Sequence, residues 1–304
     1  MTEIVSYARN VDEATQLVEV ANVDAIICGE ERFGLRSIGN ICFEEILKIN
    51  HFLKRRSKKL YVLVNAIFHD ERLEEVTNYV EKLSDLSVDG IICGDPSIFT
   101  ILQEKNIQIP IHWNPETLAT NHETLKFWQD IGVTRAVLSN ELSLDEIIDI
   151  NQSLAIPIEV QVHGMTCIFQ SKRKLVRNYY QKIDDDWNPE KIRYVKQTKS
   201  DQTHYPIFED RNGTHIMSTE DICMLRYLPQ LLDNRINCLR IYNIFKTINY
   251  NVQVSRVYKE AIKSYSDDPN QFHQLIGGWE QQILSIQPSK RKLGTGFYFK
   301  EQIY

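Results

Sequence analysis

Short runs of β-branched and other apolar residues alternate along this chain with longer stretches in which apolar positions recur every three or four residues. The short runs read as buried strands: IVSYA (4–8), AIICG (25–29), KLYVLVN (59–65), GIICGD (90–95), IPIHWN (109–114), RAVLS (135–139), IPIEVQVHG (156–164) and CLRIYN (238–243). The longer stretches read as amphipathic helices, among them DEATQLVEVA, FEEILKINHFL, ERLEEVTNYVEKL and SLDEIIDINQSL. The last of these opens on Ser143 and carries Glu146 three residues on, a capping box that sets a helix start.

Eight strand-then-helix units predict a (β/α)8 TIM-like barrel, since an open doubly wound sheet usually needs fewer strands. DAIICG at 24–29 echoes in DGIICG at 89–94, as two barrel strands built alike would, and nothing recurs at a fixed short period. The alternation breaks once, in a long polar excursion over 165–237 between the seventh and eighth strands. Within it YPIFED and THIMS flank RNG, which predicts a β-hairpin turning at Asn212-Gly213. The expected organisation is a barrel over 1–265 that includes this insertion, then a C-terminal helix and extended tail over 266–304.

Composition narrows the function classes. The net charge of −6 gives no global positive field for nucleic acid or an anionic membrane, so an RNA partner needs a local basic patch. No apolar run approaches the ~20 residues of a membrane span, and the first residues, MTEIVSYARNVDEA, lack the two halves of a signal peptide, so a cytoplasmic location is expected. The six cysteines (28, 42, 93, 167, 223 and 238) form no CxxC, and Cys28, Cys93 and Cys238 fall in or beside apolar strand runs as small core residues. No glycine-rich phosphate loop follows any strand.

In such a barrel the site lies at the C-terminal ends of the strands. The polar residues there are the segment Glu30 to Arg36, Asn65, Asp95, His112, Asn114, Asn140, Glu141, His163, Tyr242 and Asn243. Amides, two imidazoles, a guanidinium and few carboxylates suit an anionic small molecule better than a paired-carboxylate glycosidase. Strict alternation would put Glu159, Gln161 and His163 on one face. His163 with Cys167 could begin a metal site or a Cys/His pair, but neither CxxC nor HxxxH accompanies them. Lys172, Arg173, Lys174 and Arg177 follow, either a solvated face or a strip that contacts phosphates.

The stretches VHGMTCIFQSKRKL, VLSNELSLDEI, YPIFEDRNGTHIMSTEDICML and TGFYF together resemble the peptidase U32 family, also called collagenase-like proteases, from about residue 23 to the C-terminus. The resemblance implies either proteolysis or hydroxylation, the latter of wobble uridine in tRNA with prephenate required, or of ubiquinone precursors. It also implies, in many members, an iron-sulfur cluster held by four cysteines. Cys167 matches the first of those ligands and Cys223 the last, but Lys174 stands at the second and no cysteine lies between 168 and 222. The family's KIEGR at the eighth strand reads RIYNI here, Arg240 to Ile244.

These departures resemble the shorter, cluster-free member of a tandem pair in Gram-positive bacteria. Carried over residue by residue, the family pattern marks Arg36, Asn65, His112, Glu141 and His163 as barrel-mouth positions, expected to bind ligand; Lys172, Arg173 and Arg177, from the basic run itself, are the expected RNA strip. No metal is expected on this chain; a cluster-bearing paralogue, tRNA and a small carboxylate such as prephenate are the expected partners. The leading expectation is a part in 5-hydroxyuridine formation. The alternatives are a peptidase, for which neither HExxH nor GxSxG is present, and a non-catalytic scaffold for the paralogue.

Overall fold

A computed structural model describes residues 2–39, 41–185, 188, 193–197 and 200–300. Seven parallel strands run in chain order: β1 (Glu3–Tyr7), β2 (Ala25–Cys28), β3 (Lys59–Val64), β4 (Gly90–Cys93), β5 (Ile111–Trp113), β6 (Arg135–Val137) and β7 (Ile158–Gly164). Helices α1 (Val11–Glu19), α2 (Phe43–Arg55), α3 (Leu73–Asp85), α4 (Ser97–Glu104), α5 (His122–Ile131) and α6 (Leu144–Ser153) lie between them. The capping box of α6 forms as its sequence predicts, with Ser143 and Glu146 each holding the other's backbone N–H.

The excursion after β7 builds β8 (Cys167–Ser171), α7 (Leu175–Lys182), β9 (Arg193–Gln197), β10 (Ser200–Asp210), β11 (Gly213–Met217), β12 (Asp221–Cys223) and α8 (Leu228–Asp233). β13 (Cys238–Tyr242) then returns to the barrel and pairs in parallel with both β7 and β1, closing eight strands into a ring. The eighth barrel strand is thus the expected one, delayed by the insertion.

Four inserted strands form an antiparallel sheet in the order β8-β11-β10-β9. Its central hairpin is present, but the turn is Arg211-Asn212 rather than Asn212-Gly213, because Gly213 already pairs with Asp210. Gly213 belongs there for another reason: with φ +132 and the Ser171 carbonyl against its α-carbon, a side chain has no room. Parts of the polar run expected in this insertion, 186–187, 189–192 and 198–199, lie outside the described residues.

The expected boundary at 265/266 falls in the last turn of α9 (Ile248–Asp267). The next helix, α10 (Pro269–Ile286), sends Phe272, Ile276, Trp279 and Ile283 into the same apolar core as the barrel helices. Beyond it, β14 (Leu293–Gly294) pairs with β12, and Tyr298 is buried with its hydroxyl donating to the Gln161 carbonyl at 2.8 Å. The segment therefore packs into the same core as the barrel helices; residues 301–304 lie outside the described ones. No helix among the described residues is long and apolar enough to cross a membrane.

Inside the ring, residues alternate inward along each strand. Near the N-terminal ends sits a charged layer. Arg135 Nη1 lies 2.8 Å from Glu3 Oε1 and 3.3 Å from Glu159 Oε2, and the Tyr61 hydroxyl donates to Glu3 at 3.0 Å. Above it Val5, Ile27, Leu63 and Ile92 fill the middle, so the barrel is packed and opens only at its C-terminal mouth.

Candidate functional site

The mouth is built around Arg36. The loop after β2 reaches over the barrel, where Leu35 N–H donates to Asn65 Oδ1 at 3.0 Å and Arg36 N–H to Asp210 Oδ2 at 3.3 Å. Arg36 has a left-handed backbone, φ +47, and its carbonyl accepts from the Tyr242 hydroxyl at 3.2 Å. These contacts aim the guanidinium into the barrel, where Nη1 donates to Gln170 Oε1 at 2.6 Å and Nη2 is paired with Glu116. Burial acts against its charge, but the Glu116 carboxylate, together with Cys167 and Tyr242, outweighs this and holds the Arg36 pKa above its ordinary range.

Around this pair stand Asn65, Asn114, Asn140, Gln161, Arg240, Tyr7, Tyr242 and Cys167. Asn65 Nδ2 donates to the other Glu116 oxygen at 3.3 Å, and the Glu116 backbone N–H donates to Asn114 Oδ1 at 3.3 Å. The enclosed space at the centre is only about 40 Å³, room for about one water. Outside it, sharing Leu35, Asn65, Asn114, Glu116 and Cys167 as a wall, an open cleft of about 430 Å³ runs beneath β8.

Of the ligand-binding residues expected from sequence, Arg36 and Asn65 meet at the mouth and the other three do not. His112 comes early in the short β5 and lies in the charged lower layer, with its ring 4.4 Å from that of Tyr61 and burial lowering its pKa well below the usual histidine value. Glu141 is exposed on the loop after β6 and does not line the cavity.

His163 points the opposite way from the expectation. β13 pairs Arg240 with Gln161 but Ile241 with His163, so Val162 is an extra residue that reverses the alternation. Glu159 and Gln161 face inward, whereas His163 faces α9, where Nε2 lies 2.7 Å from the Tyr250 hydroxyl. Burial pulls its pKa down to about 4, the Asp221 carboxylate only partly opposing the shift.

The expected RNA strip is on the surface. Lys172, Arg173 and Arg177 are exposed at the end of β8 and the start of α7, and Lys172 Nζ reaches the Ile67 carbonyl at 3.4 Å across the outer cleft.

Two charged residues of the mouth were missed. Glu116 follows β5 in the NPET loop, where an acid after Asn-Pro at a strand's C-terminal end is a modest signal. Arg240 had a better one, since Cys238, Arg240 and Tyr242 alternate on one face of β13. It is buried in the cavity wall, its ion pair with Glu159 spans 3.7 Å, and its Nε has no hydrogen-bond partner among the described residues.

The cysteines do not fit a four-thiolate cluster. Cys167 faces the mouth, its Sγ 3.3 Å from the Phe169 carbonyl, and burial raises its pKa. Cys223 sits beyond the barrel wall, 3.8 Å from the Tyr258 hydroxyl. Lys174, at the position of the second ligand, donates to the Asp210 carbonyl. Among the described residues no group of three or more His, Cys, Asp or Glu could hold a metal ion. What the mouth can do is bind: two guanidinium groups and the amides of Asn65, Asn114 and Asn140 line it for an anionic or hydroxylated molecule, while Gln161 Nε2 already donates to the Gly164 and Met165 carbonyls.

Fold and geometry together define a TIM-type barrel with a small polar cavity at its mouth beneath an inserted sheet. The chain belongs to peptidase family U32, whose model matches residues 9–303. Among its relatives, tRNA hydroxylation protein P2 of Bacillus subtilis (strain 168) is 37% identical over 288 residues, covering 93% of each chain. tRNA hydroxylation protein P1 of the same strain is 27% identical over 317 residues, 99% of this chain and 73% of that one. The solved structure of the U32 peptidase Mk0906 superposes with a TM-score of 0.51 at 12% identity, covering 80% of this chain and 92% of that one, a likeness of fold.

Proposed function

We propose that this chain takes part in RNA hydroxylation, on the wobble uridine of tRNA in the cytoplasm, giving 5-hydroxyuridine. The observation that carries the reading is the end-to-end similarity to tRNA hydroxylation protein P2, 37% identity over 93% of both chains. The mouth supports it by offering a carboxylate ligand such as prephenate the guanidinium groups of Arg36 and Arg240 and the amides of Asn65, Asn114 and Asn140. The misfit of Cys167 and Cys223 leaves cluster chemistry to a cluster-bearing paralogue, with which this chain would act. Exposed Lys172, Arg173 and Arg177, of which Lys172 lines the outer cleft, would supply the contacts to RNA phosphates.

A peptidase reading finds less support. The Cys167 thiol is pushed toward its neutral form, and His163, the histidine weighed as its partner, faces α9 instead. A scaffold role is favoured by one observation, the central space already closed by Arg36 and Glu116.

Nucleoside mass spectrometry of tRNA from a strain lacking this gene tests the reading, with and without deletion of any cluster-bearing relative. Loss of 5-hydroxyuridine derivatives is expected, restored by the wild-type gene; an unchanged profile in both strains overturns it. Restoration by Arg240→Met would assign the chain to scaffolding, and failure to restore would assign it to ligand binding.

A further inference from the structure

A second cleft, of about 870 Å³, lies at the other edge of the inserted sheet, between β9–β10 and the segment after α10. Its walls include Tyr194, His204, Phe245, Lys246, Lys290 and Arg291, and among the described residues that line it none is acidic. Behind the wall, buried Asp221 accepts from Lys246 Nζ at 2.5 Å and from Arg291 Nη2 at 2.7 Å. One carboxylate faces two cations, which leaves this wall with a surplus of one positive charge, and exposed Lys290 adds another.

The cleft also presents aromatic faces. Tyr194 is 59% and Phe245 40% exposed. Phe245 is held at φ +60, a conformation that a bulky side chain rarely adopts. Its ring packs edge-on against Phe208 at 5.0 Å, leaving part of it open to the cleft. Strain that holds an aromatic ring toward solvent, beside surplus positive charge, is the pattern of a base-stacking platform.

We propose that this cleft binds unpaired nucleotides of the RNA substrate, with a base on Phe245 and phosphates at Lys290 and Arg291. The inference rests on the RNA reading above and gives it a location away from the barrel mouth. Phe245 and Lys290 would here be RNA-binding residues and not catalytic ones.

The test is fluorescence anisotropy of the full chain with a fluorescein-labelled anticodon stem-loop RNA across a potassium chloride series. Phe245→Leu should weaken binding about tenfold while Phe245→Trp keeps it, and Lys290→Ala should lower the slope of log affinity against log salt by about one. Thermal melts check that each variant folds. Wild-type affinity and slope in both Phe245→Leu and Lys290→Ala overturn the cleft, as does a wild-type chain without affinity for the RNA. The nucleoside profile separates the two ideas: loss of 5-hydroxyuridine in the deletion strain together with unaffected variants sinks the cleft alone. An unchanged profile with cleft-dependent binding sinks the reaction alone.

Discussion

Arg36 meets a carboxylate before any ligand arrives, because Glu116 already occupies its Nη2. Both residues have left-handed backbones, φ +47 and +62, so the pair is positioned by its surroundings against local preference. A ligand carboxylate must displace Glu116 or share the guanidinium with it. Glu116→Gln should therefore tighten prephenate binding by on the order of tenfold, and Arg36→Ala should abolish it, both read by calorimetry. Equal affinity in wild type and Glu116→Gln would show that the pair is no competitor. Arg36 and Asn65 were legible as mouth residues because each closely follows a clear strand. Glu116 was not legible as their partner, since nothing local encodes a contact across 80 residues.

At the level of elements, strand β7 carries the largest departure from simple periodicity. Alternation read through Val162 places His163 at the mouth, and one bulged residue sends it to α9. Gly164 follows with φ +103, its α-carbon so close to the Tyr242 carbonyl that no side chain fits. The buried, neutral His163 has a consequence for acid stability. Its folded pKa, about 4, is depressed from 6.5, so between those values the unfolded chain binds more protons and stability falls as pH falls. A loss of about 3 kcal/mol is expected across that window, and urea titrations should show a flatter pH dependence in His163→Gln. An identical slope in the variant would mean that His163 is protonated in the folded chain. Long periodic helices and the capped start of α6 were readable because their signals are local. Three-residue β12 and two-residue β14 were not, because each exists only through a partner strand.

The whole molecule is tied together at Asp221. This buried carboxylate joins the insertion to Lys246 after the last barrel strand, and to Gln287 and Arg291 beyond α10. Removing its charge leaves buried Lys246 and half-buried Arg291 without their carboxylate, so Asp221→Asn should cost about 3–5 kcal/mol, measured as a shift in urea midpoint. A change within experimental scatter would mean that the triad is solvated in solution. The ring of eight strands was visible in the sequence because strand and helix periods differ. The closed mouth and the two clefts at the edges of the inserted sheet were not visible, because each is assembled from segments far apart in the chain.

That ring closes where Glu3 pairs with Cys238. Strand β1 must wait for a partner some 235 residues behind it, by the difference between those positions. At ~5–20 residues per second that is a delay of roughly ten seconds or more. Throughout synthesis one edge of β1 stays unpaired, and the 165–237 insertion has to emerge before the seam can form. Folding of this barrel is therefore a late event, gated by translation, and a chain stalled within the insertion would present an open apolar sheet edge.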